Sequence, residues 1–253
     1  MAFGFVAGVV ALALASGLLI GCVGIGGVIL VPALTYLGGI AIHTAIPAAV
    51  AAYLVSGAIG TFAYWRAGSV PWRQALPLAL GAMPAALVGA VASASAPAGV
   101  IETCIGMLTV ACGLNVWLER RTADMTARRD PSPRELALVG AVTGFASALT
   151  GTGGPLVLVP ILMWLKCPVL GTIGMAQVVQ LPIALLATAG NFWAGHIDVG
   201  LALALAVGLA AGTWGGAQIA HSLPQAALRR LMAVVLCATG AAMLMKVGAR
   251  LLA

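Results

Sequence analysis

Charge is what this sequence lacks most. Only 7% of its 253 residues are Asp, Glu, Lys or Arg, against about 25% in a soluble globular domain. Residues 1–65 contain none of the four, and long uncharged runs continue as far as residue 245. Because a membrane-spanning helix needs roughly 20 apolar residues, this composition excludes a soluble domain. It predicts instead that nearly the whole chain lies in or against a lipid bilayer.

Candidate catalytic and metal-binding residues are scarce as well. The five cysteines are scattered and lack C-x-x-C spacing, so we interpret them as buried thiols rather than redox or metal ligands. No group of metal ligands and no nucleophile near a base occurs, so we expect no metal, no cofactor and no enzyme activity. Glu102 and Asp198 fall near the outer interface, which leaves no buried carboxylate for a proton relay. The net charge of +6 is a topology signal here and does not indicate nucleic-acid binding.

A glycine-rich motif is present twice, about half a chain apart. It is Gly24-Ile25-Gly26-Gly27 followed by Val31-Pro32, and Gly151-Thr152-Gly153-Gly154 followed by Val159-Pro160. A shift of 127 or 128 residues also aligns other glycines, prolines and tryptophans of the two halves. The sequence therefore predicts an internal duplication, with repeat 1 at residues 1–118, a basic loop at 119–135 and repeat 2 at 136–253.

Each repeat has the same predicted pattern, a glycine-broken hydrophobic hairpin followed by three helices. The hairpins are at about 4–40 and 136–166, and the helices at about 43–65, 73–95, 99–118, 172–194, 199–222 and 226–246. The arm 136–150 would span about 22 Å at 1.5 Å per residue, less than the 30 Å hydrocarbon core. We therefore expect an all-α integral membrane protein whose hairpins are re-entrant or short-armed.

Basic residues predict the orientation in the membrane. The loop 119–135 carries five arginines, which places it in the cytoplasm by the positive-inside rule. Counting helices from this loop puts ten of the twelve basic residues inside and leaves Lys246 and Arg250 outside. Each repeat then crosses the membrane an odd number of times, so the two repeats are expected to have inverted topologies.

The glycine turns are the first candidate substrate site. After each turn a helix restarts, and a helix N-terminus inside the membrane presents free N–H groups and a positive dipole end to an anion. In an inverted repeat two such breaks meet near the midplane and mark the substrate site. The alternative is that the glycines only allow close packing. The candidate residues are Gly24, Gly26, Gly27, Thr150, Gly151, Thr152, Gly153 and Gly154.

Polar side chains on the helix after each hairpin form the second candidate set. In repeat 2 they are Gln177, Gln180 and Asn191, and in repeat 1 Tyr53 and Ser56. Amides and hydroxyls at membrane depth usually face protein or a water-filled path, so these residues are predicted to give the substrate neutral hydrogen bonds. Hydrogen bonding between helices is the alternative.

These features together resemble the TauE/SafE sulfite exporter family over essentially the whole chain. The clearest match is Gly144-Phe145 through Gly151-Thr152-Gly153-Gly154-Pro155 and on to Asn191-Phe192. The resemblance implies transport of sulfite, sulfoacetate or a related sulfonate across the bacterial cytoplasmic membrane, often as export. The first turn reads Cys22-Val23-Gly24-Ile25 and lacks the threonines of the second, so the two half-sites are not equivalent donors.

We therefore predict a multi-pass secondary transporter of the bacterial inner membrane for a small sulfur-containing anion, with the lipid bilayer as its surroundings. A carrier for another small carboxylate or inorganic anion is the transporter alternative. An intramembrane enzyme or a non-transporting membrane subunit is the alternative from a different class. The exact anion, the direction, the coupling ion and the oligomeric state stay open, with a homodimer among the options.

Overall fold

A computed structural model describes residues 2–36, 38–92, 103, 106–107, 109–114, 117, 131–150, 154–193 and 198–252. Within these residues the regular structure is entirely α-helical, which confirms the predicted all-α class. Numbered in chain order, the labelled helices are α1 Ala2–Val23, α2 Gly27–Tyr36, α3 Ile42–Arg66, α4 Trp72–Ala92, α5 Pro133–Thr150, α6 Pro155–Trp164, α7 Val169–Trp193, α8 Val199–Ser222 and α9 Gln225–Leu252. The predicted helix at 99–118 lies only partly within the described residues.

Four of the described helices are long and apolar enough to cross a membrane. Their spanning windows are Val6–Val23, Thr44–Arg66, Val169–Ala189 and Val199–Ser222. At 1.5 Å per residue, the 21 residues of the third window cover about 32 Å, which matches a hydrocarbon core of about 30 Å. These helices support a multi-pass membrane protein.

Each hairpin has one short arm, and in both hairpins it is the second helix. α5 begins at Pro133, three residues before the predicted start, because Ser132 and Glu135 form a reciprocal capping box. The Ser132 N–H donates to Glu135 Oε2 at 2.8 Å, and the Glu135 N–H donates to Ser132 Oγ at 3.3 Å. α5 therefore has 18 residues, about 27 Å, while α2 and α6 have 10 each, about 15 Å. The short reach predicted for 136–150 belongs to the second arm.

Glycine contacts repeat between the two halves at the same offset as the sequence motif. A Cβ at Gly208 of α8 would lie 2.6 Å from the carbonyl oxygen of Val10, and a Cβ at Gly81 of α4 would meet the carbonyl of Ala137. Both residues of the first contact lie 127 positions from those of the second. Two further sets of equivalent glycines lie against backbone carbonyls of the facing helix in the same way. They are Gly17 with its counterpart Gly144, and Gly89 with its counterpart Gly216. The packing of α1 on α8 therefore recurs as the packing of α5 on α4.

α3 and α7, the helices that follow the two hairpins, cross each other near the centre of the molecule. Gly57 of α3 faces Leu181 of α7, and nearer the end of α3 a Cβ at Gly174 would lie 3.6 Å from Tyr64 Cβ. Among these contacts the residue number on α7 decreases as the residue number on α3 increases, so the two helices run antiparallel. Around them lie the buried apolar residues of α1, α2, α6 and α8. How the two repeats are oriented across a membrane stays a prediction.

Basic side chains gather at one end of the fold, which we call the basic end. It is the end at which α3, α6 and α8 finish and α4, α5, α7 and α9 begin. At the opposite end, Asp198 caps α8 by accepting a hydrogen bond from the Leu201 N–H at 3.0 Å. The charge asymmetry predicted from the sequence is thus present among the described residues. The basic side chains at the basic end are Arg66, Arg73, Arg134, Lys166, Arg229 and Arg230.

Candidate functional site

The first glycine turn, between α1 and α2, is buried and tightly packed. Gly24 has φ +79°, a left-handed conformation that glycine adopts without strain. A Cβ at Gly24 would lie 3.2 Å from Val159 Cγ2 of α6, and a Cβ at Gly26 would lie 2.8 Å from Ile20 Cγ1 and also meet the Ser16 carbonyl. Close packing, the alternative given for these glycines, therefore accounts for Gly26 in this structure.

The second turn leads into α6, and Gly154 is its described residue. Gly154 has φ +84° and lies at the N-cap of α6, where no side chain caps the helix; Pro155 occupies the first helical position. A Cβ at Gly154 would lie 3.2 Å from Ile183 Cδ1 and 3.8 Å from Ser147 Oγ. The candidate residues Gly151, Thr152 and Gly153, and the side chain of Thr150, lie outside what the structure describes.

A hydrogen-bonded chain connects the first turn to both central helices. The Tyr53 hydroxyl donates to the Gly27 carbonyl at 2.7 Å. The Gln180 amide donates to the backbone carbonyl of Tyr53 at 3.0 Å. Tyr53 and Gln180 are 127 residues apart, so this bond joins two equivalent positions of the duplicated sequence. The three candidate residues are thus brought together, and their donors serve contacts between helices.

Gln177 holds the broken end of α1. The last carbonyls of a helix depend on partners beyond its end, and here the Ile20 carbonyl accepts both from the Gly24 N–H at 2.9 Å and from the Gln177 amide at 2.9 Å. The Tyr64 hydroxyl donates to the next carbonyl, that of Gly21, at 2.8 Å. Gln177 Oε1 is buried against Gly60 with no hydrogen-bond partner in the described part of the chain. Gln177 therefore stabilises the helix break and keeps one acceptor unused.

Ser56 forms its hydrogen bond with another helix, α8. Its hydroxyl forms a 2.8 Å hydrogen bond with the Thr213 hydroxyl of α8, and both residues are fully buried. The sequence analysis did not single out Thr213, since one threonine in an apolar helix gives no pattern. The remaining candidate, Asn191, has its side chain outside the described residues. Hydrogen bonding between helices accounts for Ser56 in this structure.

Two further hydroxyls, both on α5, were not identified by the sequence analysis. Thr143 and Ser147 of α5 are buried, and neither side-chain oxygen has a hydrogen-bond partner among the described residues. A signal was present, because positions 143, 147 and 150 follow the spacing of one helical face.

A cavity of about 360 Å³ opens at the basic end. Its walls come from the loop between α3 and α4 and from the loop between α6 and α7, so both repeats contribute. Lys166 lines the cavity, and its backbone φ is +59°, which is uncommon for a residue other than glycine. Beside it, Ser69 Oγ lies 3.0 Å from His221 Nε2. The cavity is a cationic recess on the face where most described basic residues lie.

The two buried helix breaks, the short-armed hairpins and the apolar helices define a multi-pass, all-helical membrane protein. Comparison with known sequences gives its family. Residues 9–243 match the sequence profile of the sulfite exporter TauE/SafE family, and the chain belongs to that family. The resemblance found from the glycine motifs is thereby confirmed.

Two curated relatives carry transporter names. The probable membrane transporter protein y4hK of Sinorhizobium fredii is 31% identical over 159 residues, which cover 62% of this chain and 61% of that protein. The probable membrane transporter protein YdhB of Bacillus subtilis is 23% identical over 219 residues, covering 84% of this chain and 89% of that protein. No solved structure matches the chain with statistical significance. Family and relatives support a membrane transporter.

Proposed function

We propose that this protein is a secondary transporter that moves a small sulfur-containing anion, such as sulfite, sulfoacetate or a related sulfonate, across the bacterial cytoplasmic membrane. Transport is outward, and the protein carries out no covalent chemistry. The observation that carries the proposal is the pair of helix breaks at Gly24 and Gly154, both buried inside the helical core. Broken backbone at membrane depth is tolerated only where protein buries it or where it lines a cavity.

The substrate class follows from the charge of the site. α6 begins at a buried glycine, and the start of a helix offers a positive dipole end that favours an anion. A buried arginine would bind the anion more tightly, but it would also slow release. Hydroxyls and backbone dipoles hold an oxyanion weakly enough for turnover. The family profile carries the name of a sulfite exporter, which supports a sulfur oxyanion among the possible anions.

The outward direction is supported by the basic end. Clustered cationic side chains raise the local concentration of anions, and the positive-inside rule places this end in the cytoplasm. The cavity lined by Lys166 would then receive the anion from the cytoplasm before it reaches the glycine turns. In this arrangement the two repeats have inverted topologies, with α3 and α7 crossing at the centre.

A substrate panel in proteoliposomes tests the proposal. The purified protein is reconstituted, and uptake of sulfite, sulfoacetate, sulfate, acetate and oxalate is followed with protein-free liposomes as the control. We expect saturable transport of the first two anions. If only the carboxylates are transported, the substrate is a carboxylate and not a sulfur-containing anion. Absence of transport for every anion, by protein shown to be folded and inserted, would contradict the transporter itself.

A further inference from the structure

Two buried hydroxyls on α5 lack the partner that buried polar groups normally have. Thr143 is 0% exposed and Ser147 is 2% exposed, and neither oxygen is hydrogen-bonded within the described part of the chain. A serine or threonine inside a helix commonly donates to the carbonyl one turn earlier. Most buried polar atoms in folded proteins are paired, so each exception calls for a physical reason. A ligand that binds to these hydroxyls and dissociates during transport would supply that reason.

Ser147 lies where a helix N-terminus also lacks a cap. Its Oγ is 3.8 Å from the Cβ position of Gly154, the residue immediately before the first turn of α6. No side chain caps α6, and Pro155 has no N–H of its own. An unpaired hydroxyl donor and the positive end of a helix dipole therefore meet at one buried point.

The first repeat has no such group at the matching place. A shift of 127 residues relates Thr143 to Ser16 and Ser147 to Ile20. Ile20 is 2% exposed, and its Cγ1 packs against Gly26. The first turn is thus filled by an isoleucine where the second turn has a hydroxyl. Ser16 keeps a hydroxyl at the position of Thr143, but the hydroxyl beside the turn, that of Ser147, has no counterpart in the first copy.

We propose that Ser147 and the start of α6 hold the anionic group of the substrate, and that Ser147 donates its hydroxyl hydrogen to one of the oxygens. This inference rests on the proposed transport of a sulfur oxyanion and assigns its binding to one half of the duplicated site. The ligand group is a sulfite or sulfonate head, whose several oxygens accept from a hydroxyl and from a helix start together. Thr143, one helical turn nearer the basic end, is the next donor on the path of the anion.

The Ser147→Ala variant separates binding from folding. Removing the hydroxyl takes away a donor to a charged group, so the KM for sulfite should rise about tenfold. The same change removes an unpaired buried polar atom, so the thermal unfolding temperature without substrate should stay equal or rise. A structural hydroxyl would give the opposite pattern, a lower unfolding temperature with an unchanged KM. Thr143→Val, which keeps the side-chain volume, serves as the second variant and should raise the KM several-fold.

A matched control removes another unpaired hydroxyl elsewhere. Thr188 of α7 also has a buried oxygen without a partner among the described residues, and it takes no part in the proposed site. Thr188→Val should leave the KM for sulfite within twofold of the wild type. Stabilisation of the detergent-solubilised protein by sulfite should persist in Thr188→Val and weaken in Ser147→Ala.

The outcomes distinguish this inference from the proposed function. If wild-type protein transports only carboxylates and Ser147→Ala raises their KM, the sulfur substrate is wrong and the assignment of Ser147 holds. If sulfite is transported and Ser147→Ala and Thr143→Val both keep the wild-type KM, the transport proposal stands and this inference is wrong. If the wild type neither transports nor binds any anion of the panel, both are wrong.

Discussion

At the scale of single residues, most polar side chains that we had assigned to the substrate bind the protein itself. The amides of Gln177 and Gln180 donate to backbone carbonyls, the Tyr53 hydroxyl donates to Gly27, and Ser56 pairs with Thr213. In a membrane interior these bonds replace the water that would otherwise satisfy the groups. A broken helix exposes backbone carbonyls, and neighbouring side chains have to satisfy them.

The pair Ser56 and Thr213 gives a first prediction. Ser56→Ala and Thr213→Val should each lower the free energy of unfolding by about 1–2 kcal/mol, because each leaves one buried hydroxyl unpaired. The double variant should lose less than the sum of the two, with a coupling of about 1 kcal/mol. Thermal unfolding of the four proteins in detergent measures this cycle. Strict additivity would show that the 2.8 Å contact contributes no pairing energy.

Asp198 gives a second prediction at this scale. It accepts from the Leu201 N–H at the start of α8, and an asparagine caps a helix about as well as an aspartate. Asp198→Asn should therefore keep both stability and transport, whereas Asp198→Ala should lose about 1 kcal/mol of stability. The measurement is sulfite transport against pH beside thermal unfolding. Loss of concentrative transport in Asp198→Asn, with exchange retained, would reveal a protein-borne proton site at this residue.

At the scale of the elements, close contact between helix backbones holds the two repeats together. α1 meets α8, and α5 meets α4, through glycines that lie against carbonyl oxygens of the facing helix. Small residues at such contacts let helices in a membrane approach and gain packing energy. Both contacts are parallel pairs, and each joins the first hairpin arm of one repeat to the fourth labelled helix of the other.

These contacts predict different costs for matched glycine substitutions. Gly144→Ala would drive a Cβ into the backbone of Ala82, so we expect a strong loss of folded protein, by more than about 2 kcal/mol. Gly8→Ala has nothing within 4 Å and removes a helix-weakening glycine, so it should be neutral or stabilising. Size-exclusion profiles and unfolding temperatures of the two variants make the comparison. Equal behaviour would mean that α4 and α5 can separate at little cost.

The sequence was sufficient for the order and type of the elements but not for the details of the turns. Charge-free runs and glycine breaks identified helices near their true bounds, because those signals are local. The start of α5 at Pro133 was missed because the Ser132–Glu135 capping box lies in a segment assigned to the basic loop. Which polar groups are already paired depends on contacts 127 to 157 residues apart, and no local pattern encodes them.

Trp214 shows the same limit for a single side chain. Tryptophans in membrane proteins commonly lie in a belt at the membrane surface, but Trp214 lies within α8, away from the helix ends. In the structure its ring stacks on Phe62 with a centroid distance of 6.2 Å, and Phe62 also contacts Trp65 at 6.0 Å. The contact between Phe62 and Trp214 joins α3 to α8. The tryptophan therefore has a packing partner that only the fold brings to it.

At the scale of the whole molecule, the charged ends make the topology testable. Six described basic side chains lie at the basic end, and Asp198 lies at the other. In a background without native cysteines, a cysteine at Ser132 should be labelled from the cytoplasmic side, and a cysteine at Val199 from the outside. Membrane-impermeant maleimide on intact cells and on inverted vesicles makes the measurement. Labelling of both positions from one side would contradict the predicted orientation.

The bond between Gln180 and the backbone of Tyr53 bears on how such a chain arose. Under the predicted duplication it joins two descendants of one ancestral position, which in a symmetric pair of half-length subunits would have faced its own copy. Here the two descendants have different partners, since the Tyr53 phenol reaches Gly27 while the Gln180 amide reaches across to Tyr53. Ile20 and Ser147 have diverged in the same way beside the two turns. Under the predicted duplication, equivalent positions of the two halves have thus come to hold different partners.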